Sequence, residues 1–210
     1  MMNGKQPICL IFHIFADIQN SNMKEATKYI HAGAEPDPST GAIMTPIYQT
    51  STYVQEAPGK NKGYEYARSQ NPTRTALEKA FAEIENAKYA LAFSSGVAAT
   101  DAVIKLLEPG DEVICGNDMY GGTYRLFTKV FEKFGIKFIY VDTTKVSNIS
   151  ASITGKTKLV WLETPTNPLM NITDIAAVAA LTKPKKFCWQ LITLLHHLIY
   201  KTLLISVQTL

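Results

Sequence analysis

Cysteine is scarce in this sequence: three residues, Cys9, Cys115 and Cys188, occur in 210. They lie far apart, and the chain contains neither a CxxC pair nor the cysteine and histidine spacing of a zinc site. An odd number of isolated cysteines does not indicate a disulfide framework. The pattern therefore favours a reducing, cytoplasmic compartment and predicts no metal site.

Net charge is also small. The chain has 21 Lys and Arg against 18 Asp and Glu, which gives a formal net charge of +3. No run of basic residues is interleaved with aromatic residues, so the sequence argues against a nucleic-acid partner. With 46% hydrophobic and 19% charged residues, the composition is ordinary for a globular protein of one large domain or two small ones.

Long apolar runs are missing too, since a membrane span takes roughly 20 apolar residues. Residues 7–18 (PICLIFHIFADI) form a short apolar stretch, but His13 and Asp17 interrupt it and no small-residue cleavage site follows. Met23 offers a second start just before the patterned sequence. We therefore expect residues 1–22 to be an unstructured, non-native extension, and we predict neither export nor a membrane partner.

The next segment predicts an extended arm. Residues 24–55 are rich in Gly, Pro, Ser and Thr, with turn signals at 36–41 and 45–46. We assign residues 23–70 to this arm, and arms of this type often reach a partner subunit.

From Asn71 the chain becomes regular. Asn71-Pro72 indicates a helix start, and Leu77, Phe81 and Ile84 share one helical face. The predicted strands are 89–93, 112–115, 137–141 and 158–163. The predicted helices after them are 97–107, 123–134 (ending at Gly135), 148–154 and 174–182. This alternation predicts an α/β fold with a mostly parallel sheet covered by helices on both faces, over residues 71–186.

Polar clusters follow three predicted strands, where open α/β sheets bind ligands. Ser94-Ser95-Gly96 opens a helix whose free N–H groups suit a phosphate, although this tripeptide alone is more often a simple N-cap. Tyr120, beside two glycines, can stack on a flat ring or merely pack. Asn167, between two prolines, is either presented to a ligand or part of an ordinary turn. Arg68, before the first strand, can grip phosphate or be solvated.

Together these motifs are more specific. YxRxxNPT (66–73), SSG (94–96), YGGT (120–123) and ETPTNP (163–168), in that order, resemble the transsulfuration family of pyridoxal-phosphate enzymes. The resemblance runs over residues 26–185 and includes the opening 30–53 (IHAGAEPDPSTGAIMTPIYQTSTY). The family includes cystathionine γ-synthase, cystathionine γ-lyase, methionine γ-lyase and O-acetylhomoserine sulfhydrylase. It implies pyridoxal 5′-phosphate as cofactor and an incomplete large domain of the aspartate-aminotransferase-like type (fold type I).

The resemblance also implies how the cofactor phosphate is held. Ser95, Gly96 and Val97 would bind it through backbone amides. Tyr66 and Arg68 would reach the same phosphate from a neighbouring subunit, so the site would need a homodimer, and the family usually forms a homotetramer.

Two further residues match those at the cofactor ring. Tyr120 would stack on the pyridine ring and could accept a proton, and Asn167 would contact the phenolic oxygen and the substrate carboxylate. The cofactor acts as an electron sink for elimination or replacement at the γ-carbon of a sulfur amino acid or an activated homoserine. Gly122, where methionine γ-lyases commonly have Cys, favours the cystathionine enzymes.

The resemblance stops after Lys186. The family continues with a strand ending in an aspartate that pairs with the pyridine nitrogen, and then with the lysine that holds the cofactor as a Schiff base. Residues 187–210 (FCWQLITLLHHLIYKTLLISVQTL) show no helical or strand period, and a one-base shift of their back-translation restores ILLAVDNT. We expect a truncating frameshift and an aberrant tail, which leave an inactive fragment without the Schiff-base lysine. The alternative is a non-catalytic module that pairs with full-length subunits.

Overall fold

A computed structural model describes residues 24–85, 87–183 and 188–192 of the chain, the last range as backbone alone. The chain divides into two compact units, and the division in sequence falls between Ala92 and Phe93. The predicted extension, residues 1–22, and most of the predicted aberrant tail lie outside the described residues.

The first unit contains the predicted arm, which is mostly irregular as expected, and two helices. Helix α1 (Glu25–His31) was not predicted; helix α2 spans Pro72–Ile84. The predicted start of α2 is confirmed, because the Asn71 side chain accepts a hydrogen bond from the Thr73 amide. Gly33, at φ +65°, approaches α2 so closely that a Cβ atom there would lie 2.5 Å from the Ala80 nitrogen. Only glycine fits at that position.

A single parallel sheet forms the centre of the second unit. Its strands are β1 (Glu112–Gly116), β2 (Lys137–Val141), β3 (Thr157–Glu163) and β4 (Cys188–Ile192), in the order β2-β1-β3-β4. All three pairings are parallel. The helices are α3 (Gly96–Ile104), α4 (Gly121–Lys129), α5 (Val146–Ser152) and α6 (Ile175–Thr182). The predicted α/β class is confirmed.

Apolar residues are buried on both faces of this sheet. On one face Cys115 and Trp161 pack in a cluster with Phe127 of α4. On the other face Ile114 and Val160 pack with further helical residues, Ile149 of α5 and Val178 of α6. Successive residues of a strand point to opposite faces, so β1 and β3 are covered from both sides, as predicted. None of the helices in the described ranges is long and apolar enough to cross a membrane.

One predicted helix is divided. Instead of a continuous helix over 123–134, α4 ends at Lys129 and a 3₁₀ turn follows at Phe131–Phe134. Val130 separates them with φ −115° and ψ −67°, outside the ideal helical values. The tighter turn leaves Phe131 buried in the core, 5% exposed, while Phe134 is 64% exposed. The predicted end at Gly135 is confirmed by its left-handed φ of 83°.

Two predictions about strands are wrong. Residues 89–93 do not form a strand, and Tyr89, Leu91 and Phe93 are each about half exposed. A strand needs a neighbour for its backbone hydrogen bonds, and no strand in the described ranges lies beside this segment. Conversely, part of the tail does form a strand, since β4 (Cys188–Ile192) pairs with β3. This strand of five residues forms without a strand-like side-chain pattern, because the hydrogen bonds that pair it with β3 come from the backbone.

Candidate cofactor site at the carboxyl edge of the sheet

Two loops leave neighbouring strands at the same edge of the sheet. β1 ends at Gly116 and β3 ends at Glu163, and these strands are parallel partners. The loop after β1 carries Tyr120, and the loop after β3 carries Asn167. The carboxyl edge of a parallel sheet is where α/β proteins bind ligands.

Glu163 joins these two loops. The residue is buried, with 3% of its surface exposed. Its Oε2 accepts a hydrogen bond from the Tyr120 amide at 3.0 Å, and its Oε1 accepts one from the Asn167 amide at 2.9 Å. Burial raises the pKa of Glu163 above its ordinary value, and the charge of Asp118 adds to that rise, while the two amide bonds oppose it. One buried carboxyl group thus connects two residues that the sequence assigns to the cofactor ring.

Asp118 makes a second link between the same loops. Its Oδ2 accepts hydrogen bonds from the Thr166 hydroxyl and, at 3.2 Å, from Asn171 Nδ2. Within the second loop, the Thr166 amide donates to the Asn171 carbonyl at 3.0 Å, and the Asn171 amide donates to Thr166 Oγ1 at 2.9 Å. The loop around Asn167 is therefore closed on itself and tied to the loop of Tyr120.

Hydrogen bonds of buried threonines also hold the loop that carries Asn167. Thr164 Oγ1 accepts from the Thr173 amide at 3.0 Å, and the hydroxyls of Thr173 and Thr143 lie 2.9 Å apart. Thr143 follows β2, so loops from three strands are hydrogen-bonded together at this edge. The Thr164–Pro165 and Asn167–Pro168 peptide bonds are both cis.

The side chains of Tyr120 and Asn167 remain accessible. Tyr120 is the N-cap residue of α4 and is 42% exposed. Its ring lies over Gly122, where an added Cβ atom would be 2.3 Å from Tyr120 Cε1. Asn167 is exposed. An accessible aromatic ring and an accessible amide at one edge are suited to a flat, polar ligand.

The first turn of α3 fits a phosphate group. Ser95 is its N-cap and accepts from the Ala98 amide at 3.1 Å, so the simple capping interpretation holds for its side chain. The amides of Gly96 and Val97 begin the helix and have no intrahelical acceptor. Apart from its chain neighbours and the backbone of its own helix, no atom lies within 4 Å of a Cβ atom built on Gly96, so the helix terminus is open at this position. Helix α3 also packs against α4, which Tyr120 caps.

Tyr66 and Arg68 lie in the first unit. The Arg68 guanidinium carbon is 4.7 Å from the centroid of the Tyr66 ring, a cation–π arrangement. Tyr66 is 37% exposed, and a turn follows it, with the Ser69 amide donating to the Tyr66 carbonyl at 3.0 Å. Both side chains are therefore presented together at the surface of their unit.

Sequence reasoning missed Glu163 and Asp118. Glu163 is the first residue of the ETPTNP motif, and Asp118 lies two residues before YGGT. The available signal was an acidic residue at or just after the end of a buried strand. In the described ranges no group of three or more His, Cys, Asp or Glu residues could hold a metal ion.

The fold is α/β, and its site residues comprise a helix N-terminus with free backbone amides and an accessible tyrosine ring. The family model described as "Cys/Met metabolism PLP-dependent enzyme" matches residues 26–195, and the chain belongs to that family. This confirms the predicted family. The match continues past Lys186, where we expected the resemblance to stop.

Individual relatives agree. The chain is 48% identical over 169 residues to cystathionine beta-lyase of Coxiella burnetii, covering 79% of this chain and 44% of the relative. It is 49% identical over 158 residues to a probable cystathionine gamma-synthase of Herpetosiphon aurantiacus, covering 75% and 50%. The crystal structure of Lactobacillus plantarum cystathionine gamma-lyase complexed with L-serine superimposes with a TM-score of 0.77 at 46% identity, covering 80% and 44%.

The comparisons also confirm the predicted fold. The large-domain fold is that of the pyridoxal-phosphate enzymes, and it is incomplete in this chain. The chain spans about half the length of the curated relatives that it matches. The family's cofactor is pyridoxal 5′-phosphate, as the motifs implied.

Proposed function

We propose that this chain is part of a pyridoxal-phosphate enzyme of the cystathionine γ-lyase or γ-synthase type, which acts on sulfur amino acids or activated homoserine in the cytoplasm. The observation that carries the proposal is the pair of hydrogen bonds by which Glu163 joins the Tyr120 and Asn167 loops at the ligand-binding edge. Cystathionine is the molecule shared by the names of the matched relatives. Within the family, O-acetylhomoserine sulfhydrylase and methionine γ-lyase are the alternatives.

The residues at the edge have distinct roles in this proposal. The amides at Ser95, Gly96 and Val97 bind the cofactor phosphate, which the positive end of the α3 dipole also attracts. Tyr120 stacks on the pyridine ring and can take up a proton at its hydroxyl. Asn167 orients the ring through its phenolic oxygen and also contacts the substrate carboxylate. When bound, the cofactor supplies an electron sink for carbanions of the substrate.

The pair Tyr66 and Arg68 has its role in an assembly. We propose that they reach the cofactor phosphate of a neighbouring subunit, so that the site is completed only in a homodimer or homotetramer. Their joint exposure supports this, because the Arg68 fork can bind phosphate oxygens with little rearrangement. Arg68→Lys keeps the charge but loses the planar fork, and we expect it to weaken cofactor binding in the assembled protein.

The chain alone is proposed to be inactive, because neither the Schiff-base lysine nor the ring-pairing aspartate of the family is recognisable in it. The test is to incubate the purified 210-residue chain with pyridoxal phosphate and cystathionine and to measure 2-oxo acid and ammonia release. No release above the protein-free control is expected. Cofactor-dependent lyase activity of the purified chain would contradict the proposal. Sequencing the DNA across the codons for residues 184–188 tests the frameshift separately, since an uninterrupted frame shared by related genes would overturn it.

An interaction module is the second candidate function. The arm exposes several large apolar side chains, and Ile43, Met44, Ile47 and Val54 are each at least 75% exposed. Large apolar side chains exposed on one segment favour burial against a partner. Co-purification of the chain with an intact homologue, lost on replacing Ile47 and Val54 with Ser, would favour this role. Failure to co-purify with such a homologue would argue against it.

A further inference from the structure

Glu163 has an arrangement that only a carboxylate satisfies fully. It is the last residue of β3 and is almost completely buried. Each of its oxygens accepts one backbone N–H, from Tyr120 on one side and from Asn167 on the other. The donors lie 43 and 4 residues away in sequence, on two different loops. Neither bond belongs to a helix or to the sheet.

The chemistry of the two donors restricts the acceptor. A carboxylate offers acceptors on both oxygens, whereas a glutamine of the same shape offers one oxygen and one NH₂ group. A glutamine here would therefore direct an N–H group at one of the two backbone N–H groups. A buried, unpaired polar group is unfavourable, so one of the loops would have to move away.

Asp118 does not duplicate this arrangement. It links the same two loops, but through the side chains of Thr166 and Asn171. The backbone amides of both Tyr120 and Asn167 donate to Glu163 instead. Tyr120 precedes the first turn of α4, so no intrahelical bond holds its amide.

We propose that Glu163 is a positioning residue, which fixes the backbone at Tyr120 and Asn167 and thereby sets both side chains for the cofactor ring. This inference rests on the proposed function as far as the cofactor is concerned. The positioning itself is a property of the chain and can be measured without ligand.

The first experiment measures amide hydrogen exchange by NMR in the full 210-residue chain. In Glu163→Gln, the amide of Tyr120 or Asn167 is expected to exchange at least about tenfold faster, because it loses one hydrogen bond to a charged acceptor. In Glu163→Asp, which keeps the charge but withdraws both oxygens by one methylene, both amides are expected to exchange faster. Unchanged rates at both amides in both variants would overturn the proposal.

Two control variants separate positioning from general stability. Thr164→Val removes the hydroxyl that accepts from the Thr173 amide while leaving the carboxylate in place. It should release Thr173 and leave Tyr120 and Asn167 protected. Glu132→Gln removes the same charge from an exposed position and should change neither amide. If Glu163→Gln does not fold, the exchange rates of the wild-type protein test the proposal instead. Amides of Tyr120 and Asn167 that are unprotected in the wild type would overturn it.

The second experiment titrates pyridoxal phosphate into the same proteins and follows the cofactor's absorbance. Glu163→Gln is expected to weaken binding about tenfold, because displaced loops no longer hold Tyr120 and Asn167 in position for the cofactor ring. Glu132→Gln is expected to bind like wild type. Faster exchange with unchanged affinity would overturn the link to the cofactor. If the wild type binds no pyridoxal phosphate, the proposed function fails, and the exchange rates alone decide whether Glu163 fixes the loops.

Discussion

The ring of Tyr120 lies where a side chain on Gly122 would have to be. A Cβ atom on Gly122 would approach Tyr120 Cε1 to 2.3 Å, and its distances to Cδ1 and Cζ would be 3.0 Å. The 2.3 Å contact is too close for any real side chain, so the absence of a Cβ atom at 122 permits the observed ring position. Gly122, the second glycine of YGGT, therefore makes room for the protein's own aromatic ring.

Replacing Gly122 is expected to move Tyr120. Gly122→Ala should weaken pyridoxal-phosphate binding about tenfold, equivalent to about 1.4 kcal/mol, because the stacking ring is displaced. It should not lower the melting temperature, since Ala favours a helix by about 1 kcal/mol over Gly. Absorbance titration and thermal unfolding check the two parts.

Gly121→Ala is the matched control. A Cβ atom there would meet only the end of the Arg125 side chain, at 3.4 Å. It should bind the cofactor like wild type. Equal affinities of the Gly122→Ala and wild-type proteins would show that the ring position does not matter for binding.

Phe127 should contribute strongly to stability. It is fully buried, stacks on Phe138 with ring centroids 4.3 Å apart, and forms a T-shaped pair with Trp161 at 5.6 Å between centroids. Phe127→Ala is expected to lower the free energy of unfolding by about 3–5 kcal/mol, because it leaves a cavity at the centre of this cluster. Phe134→Ala, at a 64% exposed position, should change it by less than ~1 kcal/mol. Urea denaturation of both variants checks the difference, and similar losses would contradict the assigned core.

Glu112 should make the protein sensitive to acid. Hydrogen bonds from the Thr154 hydroxyl and, at 2.9 Å, from Lys137 Nζ hold the pKa of this carboxyl below its ordinary value of 4.5. Because the folded pKa is lowered, its stabilisation is present above about pH 4.5 and is lost as the pH falls through the folded pKa. As the pH is lowered from about 4.5, the melting temperature of the wild type should therefore decrease. The decrease should be smaller in Glu112→Gln. Glu108→Gln, at an exposed position, should follow wild type; identical slopes for all three proteins would contradict the assignment.

Cys115 should be unreactive in the folded chain. It is fully buried on β1, and burial raises the pKa of its thiol far above the usual range. Because the thiolate is the reactive form, iodoacetamide should leave Cys115 unmodified in the native protein and should label it in guanidinium chloride. Peptide mapping by mass spectrometry measures the labelling. Native labelling at the denatured rate would show that β1 is not in the core.

Local signals in the sequence predicted much of the fold. Asn71-Pro72 begins a helix and Gly135 ends one through interactions with residues close by in sequence. Such signals can therefore be recognised in a short stretch of sequence. The strand at 137–141 was predicted to the residue because it is a compact apolar run between turns. Only Phe138 of this strand is buried, and the strand lies at one edge of the described sheet.

Features that depend on distant residues were not predictable. Residues 89–93 have the composition of a strand, but pairing needs a neighbour that the described chain does not place beside them. Val130 looks helical by its spacing, yet the backbone turns there and Phe131 is buried. The importance of Glu163 depends on two amides brought to it by folding, and one of them is 43 residues away.

We propose that the first turn of α3 and the loops of Tyr120 and Asn167 bind one cofactor. An NMR titration of the full chain with pyridoxal phosphate tests it most directly, with pyridoxal and inorganic phosphate as comparisons. With pyridoxal phosphate we expect saturable amide shifts at Gly96, Val97, Tyr120 and Asn167 that share one dissociation constant. With inorganic phosphate we expect shifts at Gly96 and Val97 alone. Shifts confined to other regions, or separate dissociation constants for the helix and the two loops, would contradict it.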